Sequence, residues 1–264
     1  MDLGLTSRVF VVTGASAGIG KATAEILVQE GARVVICARG AERLEALAAQ
    51  LRDAGGEVRT VIADVADAES TEKIRTTALE AFGRIDGVVN AAGVSTGEHL
   101  RDYSDESWAA AYAVNTLSAV RLSMALIPHM RERGWGRIVT VGSTAGRNPD
   151  PRFASYGAAK AALMHATRAL SRSYAKYGIL ANCVLPGLTR TESVLAGYES
   201  AARHMGVTPD DVEKRMMELD PIATGRTGRP EEVAKMVVFL CSEAASWVSG
   251  AIIPVDGGTI RDLP

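Results

Sequence analysis

Residues 8–32 read RVFVVTGASAGIGKATAEILVQEGA, and this stretch decides the fold. It opens on a short β-branched run, Val9 to Thr13, closed by Gly14. That is the pattern of a buried strand. From Gly20 to Ala32 apolar residues recur at helical spacing, and Gly31 suits a helix C-cap. Between the two lies Thr13-Gly14-Ala15-Ser16-Ala17-Gly18-Ile19-Gly20. Its spacing is G-x-x-x-G-x-G, not the common G-x-G-x-x-G, but the physics carries over. Gly14 permits a sharp turn, Gly18 removes a Cβ where a pyrophosphate would approach, and Gly20 lets the helix pack on the strand. The helix N-terminus offers N–H groups and partial positive charge to such an anion. A tight strand-to-helix turn with no ligand is the alternative. The strand before and the helix after favour a dinucleotide.

Outward from this unit the same alternation recurs. Strand-like runs cover 33–39, 57–65, 85–93, 136–143, 179–187 and 250–258. Helical runs cover 40–56, 67–83, a long stretch at 105–133, then 155–178 and 229–242. The strand runs are apolar throughout rather than alternating, as in a parallel sheet covered on both faces. Right-handed crossovers then give a doubly wound, Rossmann-type α/β fold of about seven strands. No Pro/Ser-rich linker interrupts the chain, so residues 1–264 are read as a single dinucleotide-binding catalytic domain with an insertion at 192–226.

Composition excludes several function classes. There are 29 basic and 31 acidic residues, for a net charge of −2, and the basic ones are scattered. That argues against a nucleic-acid groove or an anionic membrane surface. The N-terminus carries Asp2 and runs straight into a strand, unlike a signal peptide. No apolar run is read as reaching the roughly 18–20 residues of a membrane span. Cys37, Cys183 and Cys241 each sit inside an apolar segment, which fits packing roles in a reducing cytoplasm. His99, His129, His165 and His204 are far apart, so no metal site is expected.

In such sheets ligands bind at the carboxyl ends of the strands. The second strand ends Cys37-Ala38-Arg39, without the acid that would take the ribose hydroxyls of NAD. Arg39 instead suits a 2′-phosphate, so NADP(H) is expected over NAD(H); a solvated arginine is the alternative. Asp64, after the third strand, is placed for the adenine amine. Asn90-Ala91-Ala92-Gly93, after the fourth, makes a floor of small residues beside a ribose. The fifth strand ends at Ser143. Tyr156 and Lys160 follow four positions apart, on one side of a helix otherwise small and apolar. The pair admits two readings: a surface tyrosine over a lysine stem, or a proton donor whose pKa a cation lowers. Asn115 sits in a long apolar helix, where its amide needs a task.

Taken together, TGASAGIG, NAAG, Asn115, Ser143, the Tyr156/Lys160 pair, Pro186-Gly187 and the tail GRPEEVAKMVVFLCSEAASWVSGAIIPVDGG resemble the short-chain dehydrogenase/reductase family. The resemblance covers nearly the whole chain. It is closest to the branch of 3-oxoacyl-carrier-protein reductases and many hydroxysteroid, sugar and polyol dehydrogenases. It implies that Tyr156 is the general acid in reduction and the base in oxidation. Lys160 would lower the Tyr156 pKa and bond the nicotinamide ribose, and Ser143 would hold the substrate oxygen. Asn115 would order a water linking Lys160 to solvent. Cofactor contacts would come from Gly14, Ser16, Gly18, Ile19 and Gly20, from Arg39, Asp64 and Val65, and from Asn90, Ala91 and Gly93. Further contacts would come from Tyr156, Lys160, Pro186, Gly187, Thr189 and Thr191. Two positions depart from the usual pattern: Ala91, where a second Asn is frequent, and Ala17, which lacks the extra base of some NADP-preferring members. The family also implies a homo-oligomer, tetramer or dimer, with an interface on the helix that carries Tyr156.

The substrate is not legible. The insertion at 192–226 mixes Met205, Met216, Met217 and Leu219 with charges, as short amphipathic helices forming a lid would; a surface hairpin away from the substrate is the alternative. Arg147 and Phe153 mark the opposite wall, with Arg147 either reading an anionic group or solvated. The expected activity is NADP(H)-dependent hydride transfer between a ketone and a secondary alcohol of small size. Its alternatives are an NAD-dependent sugar or polyol dehydrogenase and a non-catalytic dinucleotide-binding regulator.

Overall fold

The computed structural model describes residues 2–95 and 99–261. Seven strands, β1 (Val9–Thr13), β2 (Arg33–Ala38), β3 (Val58–Ile62), β4 (Gly87–Asn90), β5 (Gly136–Val141), β6 (Ile179–Pro186) and β7 (Ile252–Val255), form one sheet in the order β3-β2-β1-β4-β5-β6-β7. All pairings are parallel. The helices are α1 (Gly18–Gln29), α2 (Ala41–Asp53), α3 (Ala68–Phe82), α4 (Asp105–Tyr112), α5 (Ser118–Glu132), α6 (Ala154–Tyr174), α7 (Glu192–Met205), α8 (Pro209–Leu219) and α9 (Pro230–Leu240). This is a doubly wound Rossmann-type fold. The order reverses between β1 and β4, and that switch point opens a crevice at the carboxyl edge.

The apolar strand runs have a direct explanation. Successive residues face opposite sides, and both sides are covered. Phe10, Val12, Val34 and Ile36 join a core with Leu27 of α1, Leu44 of α2 and Val237 of α9. Val11, Val35 and Cys37 join another with Ile74 of α3, Leu126 of α5 and Leu170 of α6. Each such side chain contributes about 1.5–3 kcal/mol on burial. The three cysteines are all buried thiols.

The strands are shorter than their apolar runs. The fourth run, read as 85–93, pairs only over Gly87–Asn90, and the remaining small residues turn outward at the carboxyl edge. The long helix at 105–133 is interrupted by a π-helical turn, Ala113–Leu117. Contrary to the expectation that no run suits a membrane, Asp105–Glu132 is long and apolar enough by composition, with a window of mean hydropathy 1.3, of which 50% is buried in the fold. Its buried face, Leu122, Leu126, Ile127 and Met130, belongs to the second core.

The opposite edge of the sheet is held by charge. Asp86 is fully buried. It accepts from the Val9 N–H at 2.8 Å and from Arg84 Nε at 2.8 Å, and pairs with Arg8 at 3.3 Å. Trp135 stacks under Arg8 at 3.8 Å and Arg137 at 4.3 Å and donates to Glu243.

Candidate active site

The glycine loop turns as its sequence demands. Gly14 has φ +67°, and a Cβ there would meet the Ala92 backbone at 2.8 Å. The Ala92 N–H donates to Thr13 Oγ1 at 3.2 Å. The loop and the Asn90–Gly93 segment are thus one packed unit across the switch point. A Cβ on Gly20 would lie 2.5 Å from the Gly14 carbonyl oxygen. Helix α1 begins at Gly18 with Ala17 at its N-cap, which has no side-chain acceptor. The first N–H groups of a helix have no partner within it. One of them, Gly18 N–H, donates to Glu192 Oε2 at 2.7 Å. Ser16 and Ile19 are partly exposed in the same loop. A glycine-bearing turn over the N–H groups that begin α1 fits a pyrophosphate.

At the end of β2, Arg39 stands 67% exposed and pairs loosely with Asp64 across 3.7 Å. Two groups expected on the same adenosine end are therefore adjacent. Asp64 also accepts the Ala66 N–H at 2.9 Å. Val65 packs against the core beneath. Asn90 faces inward, its amide donating to Ser123 Oγ at 3.1 Å, and Ala91 packs against the other core.

Gly93 brings the catalytic candidates together. A Cβ there would lie 2.9 Å from Asn115 Oδ1 and 3.1 Å from Lys160 Nζ. Asn115 lies within the π-helical turn and is 1% exposed. Its Oδ1 accepts the Val94 N–H at 3.2 Å, and its Nδ2 donates to the Val94 carbonyl at 2.9 Å and the Ala111 carbonyl at 3.0 Å. Both amide hydrogens go to backbone carbonyls, fastening the segment after β4 to the helix. Single π turns are frequent at functional sites.

Ser143, just past β5, accepts the Ala145 N–H at 3.2 Å and hydrogen-bonds the Tyr156 phenol. Lys160 is 3% exposed. Its Nζ donates to the Val141 carbonyl at 2.8 Å and lies 5.6 Å from the centre of the Tyr156 ring. Gly146 and Gly157 make this arrangement possible. A Cβ on Gly146 would meet the Lys160 backbone at 2.9 Å, and one on Gly157 would meet the Ala145 carbonyl oxygen at 2.7 Å.

The electrostatics correct one expectation. Lys160 was expected to lower the Tyr156 pKa. The tyrosine keeps some exposed surface, but its phenol end is deep, and burial pushes it above its ordinary 10. The group acting in the other direction is the Ser143 hydroxyl. Burial also brings the Lys160 ammonium down to about 8. Desolvation penalises both charged forms, and at 5.6 Å from the ring centre the cation does not overcome it.

Past β6, a Cβ on Gly187 would abut Asp256 at 2.9 Å, so Pro186-Gly187 packs on the turn after β7. Thr189 is 6% exposed, turns back to the Gly187 carbonyl at 2.9 Å and bridges to Gly228. Thr191 caps α7 by accepting the Val194 N–H at 3.3 Å, and its methyl faces Gly18. Helices α7 and α8 pack on one another through Tyr198, Ala202 and Val212. The end of α8 meets the loop after Ser143 around a pocket of about 460 Å³ lined by Arg147, Asn148, Leu219, Asp220, Pro221, Thr259 and Arg261. Phe153 lies under the Arg152 guanidinium at 5.8 Å. Sequence reasoning missed Glu192, Asp220 and Arg261. Nothing local marks them, because their neighbours come from distant segments.

Comparison with known proteins agrees with this geometry. A family model described as Enoyl-(Acyl carrier protein) reductase matches residues 14–259. The chain is 34% identical over 256 residues to mouse dehydrogenase/reductase SDR family member 4, covering 97% of this chain and 88% of that one. The chain belongs to the short-chain dehydrogenase/reductase family. Within that family it is 38% identical over 259 residues to cis-4-hydroxycyclohexanecarboxylate dehydrogenase of Sinomonas cyclohexanicum, covering 98% of each. It is 36% identical over 250 residues to the short-chain reductase NovJ of Streptomyces niveus, covering 95% of this chain and 93% of that one. L-sorbose reductase from Gluconobacter frateurii, solved with NADPH and L-sorbose, superposes with a TM-score of 0.96 at 34% identity over the full length of both chains. As a short-chain dehydrogenase/reductase, the chain is an oxidoreductase, and its glycine loop and its serine, tyrosine and lysine stand along one sheet edge.

Proposed function

We propose that the chain is an NADP(H)-dependent enzyme interconverting a ketone and a secondary alcohol, built as one catalytic domain and working as a homo-oligomer in the cytoplasm. The observation that carries this reading is the convergence of Ser143, Tyr156 and Lys160 beside the glycine loop. When bound, the nicotinamide supplies or accepts the hydride. The chain does the rest. Gly14, Ser16, Gly18, Ile19 and Gly20 take the pyrophosphate, and Arg39 takes a 2′-phosphate with Asp64 and Val65 beside the adenine. Asn90, Ala91 and Gly93 flank the ribose that Lys160 bonds; Pro186, Gly187, Thr189 and Thr191 border the nicotinamide.

Ser143 Oγ holds the substrate oxygen where negative charge develops. Tyr156 gives its proton to that oxygen in reduction and takes it back in oxidation. A phenol raised by burial stays protonated at neutral pH, which suits the reductive direction. Asn115 keeps the segment around Val94 in place against the Lys160 ammonium. The L-sorbose reductase solved with NADPH supports a hydroxylated ketone and the phosphorylated dinucleotide. The Arg39–Asp64 pairing favours the second reading, NAD(H), to the extent that it occupies the guanidinium.

The test is a paired titration of NADPH and NADH by nicotinamide fluorescence. NADPH is expected to bind more tightly, by about tenfold for one exposed charge-assisted contact, and Arg39→Ala to erase that advantage. Tyr156→Phe is expected to abolish turnover over a ketone panel while dinucleotide binding persists. Equal binding of the two dinucleotides would overturn the NADP(H) assignment, and turnover by Tyr156→Phe would overturn the role of the phenol.

A further inference from the structure

Glu192 has no part in the roles above, yet it makes the direct contact with the start of α1. It is the first residue of α7, whose own N-terminus already favours its charge. Its carboxylate nonetheless reaches across to another helix. Oε2 accepts the Gly18 N–H at 2.7 Å, from 174 positions along the chain. Helix caps are ordinarily supplied by the residue just before the helix. Here that residue is Ala17, which has no acceptor, and the capping group comes from the first residue of α7. The contact is close-fitting: a Cβ on Gly18 would lie 3.0 Å from Thr191 Cγ2 and 3.8 Å from Glu192 Oε2.

We propose that Glu192 is an internal competitor for the pyrophosphate cradle and a determinant of dinucleotide affinity. This rests on the reading of the glycine loop as that cradle. The Gly18 N–H is a single donor, and a carboxylate and a phosphate oxygen cannot both take it. A pyrophosphate entering at α1 therefore displaces Glu192, and with it unfastens the start of α7 from the glycine loop. Glu192 is exposed, so its side chain has solvent to move into. The competition lowers affinity for the dinucleotide and ties cofactor entry to release of the start of α7.

The experiment uses the full chain with Glu192→Gln and Glu192→Ala. NADPH is titrated by fluorescence, and adenosine 2′-phosphate, which carries the adenine end without a pyrophosphate, by calorimetry. Removing the competing charge is expected to tighten NADPH binding about tenfold in Glu192→Ala, the worth of one charge-assisted hydrogen bond at a partly exposed site. Glu192→Gln, which keeps a neutral acceptor, should fall between it and the wild type. Adenosine 2′-phosphate should bind all three alike. If the wild type binds NADPH and neither variant binds it more tightly, the competition is overturned while the cofactor reading stands. Equal changes for both ligands would mean general loosening of the fold, and would also overturn it. If no variant binds either NADPH or NADH, the cofactor reading falls and takes this one with it.

Discussion

Replacing Lys160 with Met should make the protein more stable at neutral pH while removing a proposed catalytic group. Lys160 is 3% exposed, and its one hydrogen-bond acceptor among the described residues is the Val141 carbonyl at 2.8 Å. No carboxylate pairs with it there. Burial brings its pKa from 10.5 to about 8. At about 1.4 kcal/mol per pH unit, holding the charge inside costs the native state about 3 kcal/mol below pH 8. Met has a similar length and no charge to desolvate. It leaves the Val141 carbonyl without its donor, at a cost of about 1–2 kcal/mol. The net gain at pH 7 is about 1–2 kcal/mol, or a Tm higher by about 2–8 °C.

The sign can be followed with pH. Between the native value of about 8 and the unfolded 10.5, the unfolded chain binds more protons at this site than the native one. The lysine's penalty therefore shrinks as pH rises, and the wild type gains on the variant. Above 10.5 the lysine is neutral in both states, and the variant, lacking the Val141 bond, should be the less stable. The buried thiols of Cys37 and Cys241 work the other way, since burial raises both, but they are common to both proteins and drop out of the difference; the Cys183 thiol, raised by burial and held lower by Lys160, rises further in the variant and adds to its decline at high pH. Urea unfolding of both proteins from pH 7 to 11 reads this directly. A variant less stable at pH 7, or a difference that stays flat across the range, would refute the claim that Lys160 is held as a costly buried cation.

Two further outcomes concern the frame rather than the chemistry. Asp86→Ala removes a fully buried carboxylate and strands the Val9 N–H; because Arg8 and Arg84 are 24% and 30% exposed and rehydrate, the loss should be about 3 kcal/mol rather than more. Calorimetry should show a Tm lower by about 6–12 °C, with dinucleotide affinity at 20 °C unchanged because the site lies at the other sheet edge; an altered affinity would contradict that separation. Gly87→Ala would set a Cβ 2.3 Å from the Phe10 ring and 2.8 Å from the Arg137 carbonyl oxygen, costing about 1–3 kcal/mol by overpacking. Adding Phe10→Leu should recover part of that loss in denaturant unfolding, and strictly additive losses would show that the ring is not what Gly87 accommodates.

What the sequence disclosed follows the range of the interactions involved. Strand β1, the glycine turn and helix α1 are adjacent in the chain, and each residue's task there is local: φ +67° at Gly14, close approach of Gly20 to the Gly14 carbonyl. The pairing of Tyr156 with Lys160 is legible for the same reason, being one helical turn. The sheet order is legible one step further, through the rules for parallel crossovers. The strand ends are not, because Asp64, Asn90 and Ser143 stand at the end of apolar runs whose last residues pack or turn only once neighbouring strands are in place. The π turn at Ala113–Leu117 leaves no periodic mark that distinguishes it from an ordinary helix.

The ionisation of the site is the furthest from the sequence, and here the local pattern points the wrong way. A cation one turn from a phenol reads as a lowered tyrosine pKa. The opposite sign arises because the two groups do not share a solvated surface: Gly146 and Gly157 let the turn after β5 close over them to backbone distance. Burial then penalises each charged form, raising the phenol and lowering the ammonium. The same small residues that read as space for a ligand are therefore what buries the catalytic pair. A neutral tyrosine held beside a lysine that ionises near pH 8 is a site poised to give a proton. Any group that stabilises the phenolate must act from inside the crevice, where the Ser143 hydroxyl already does so.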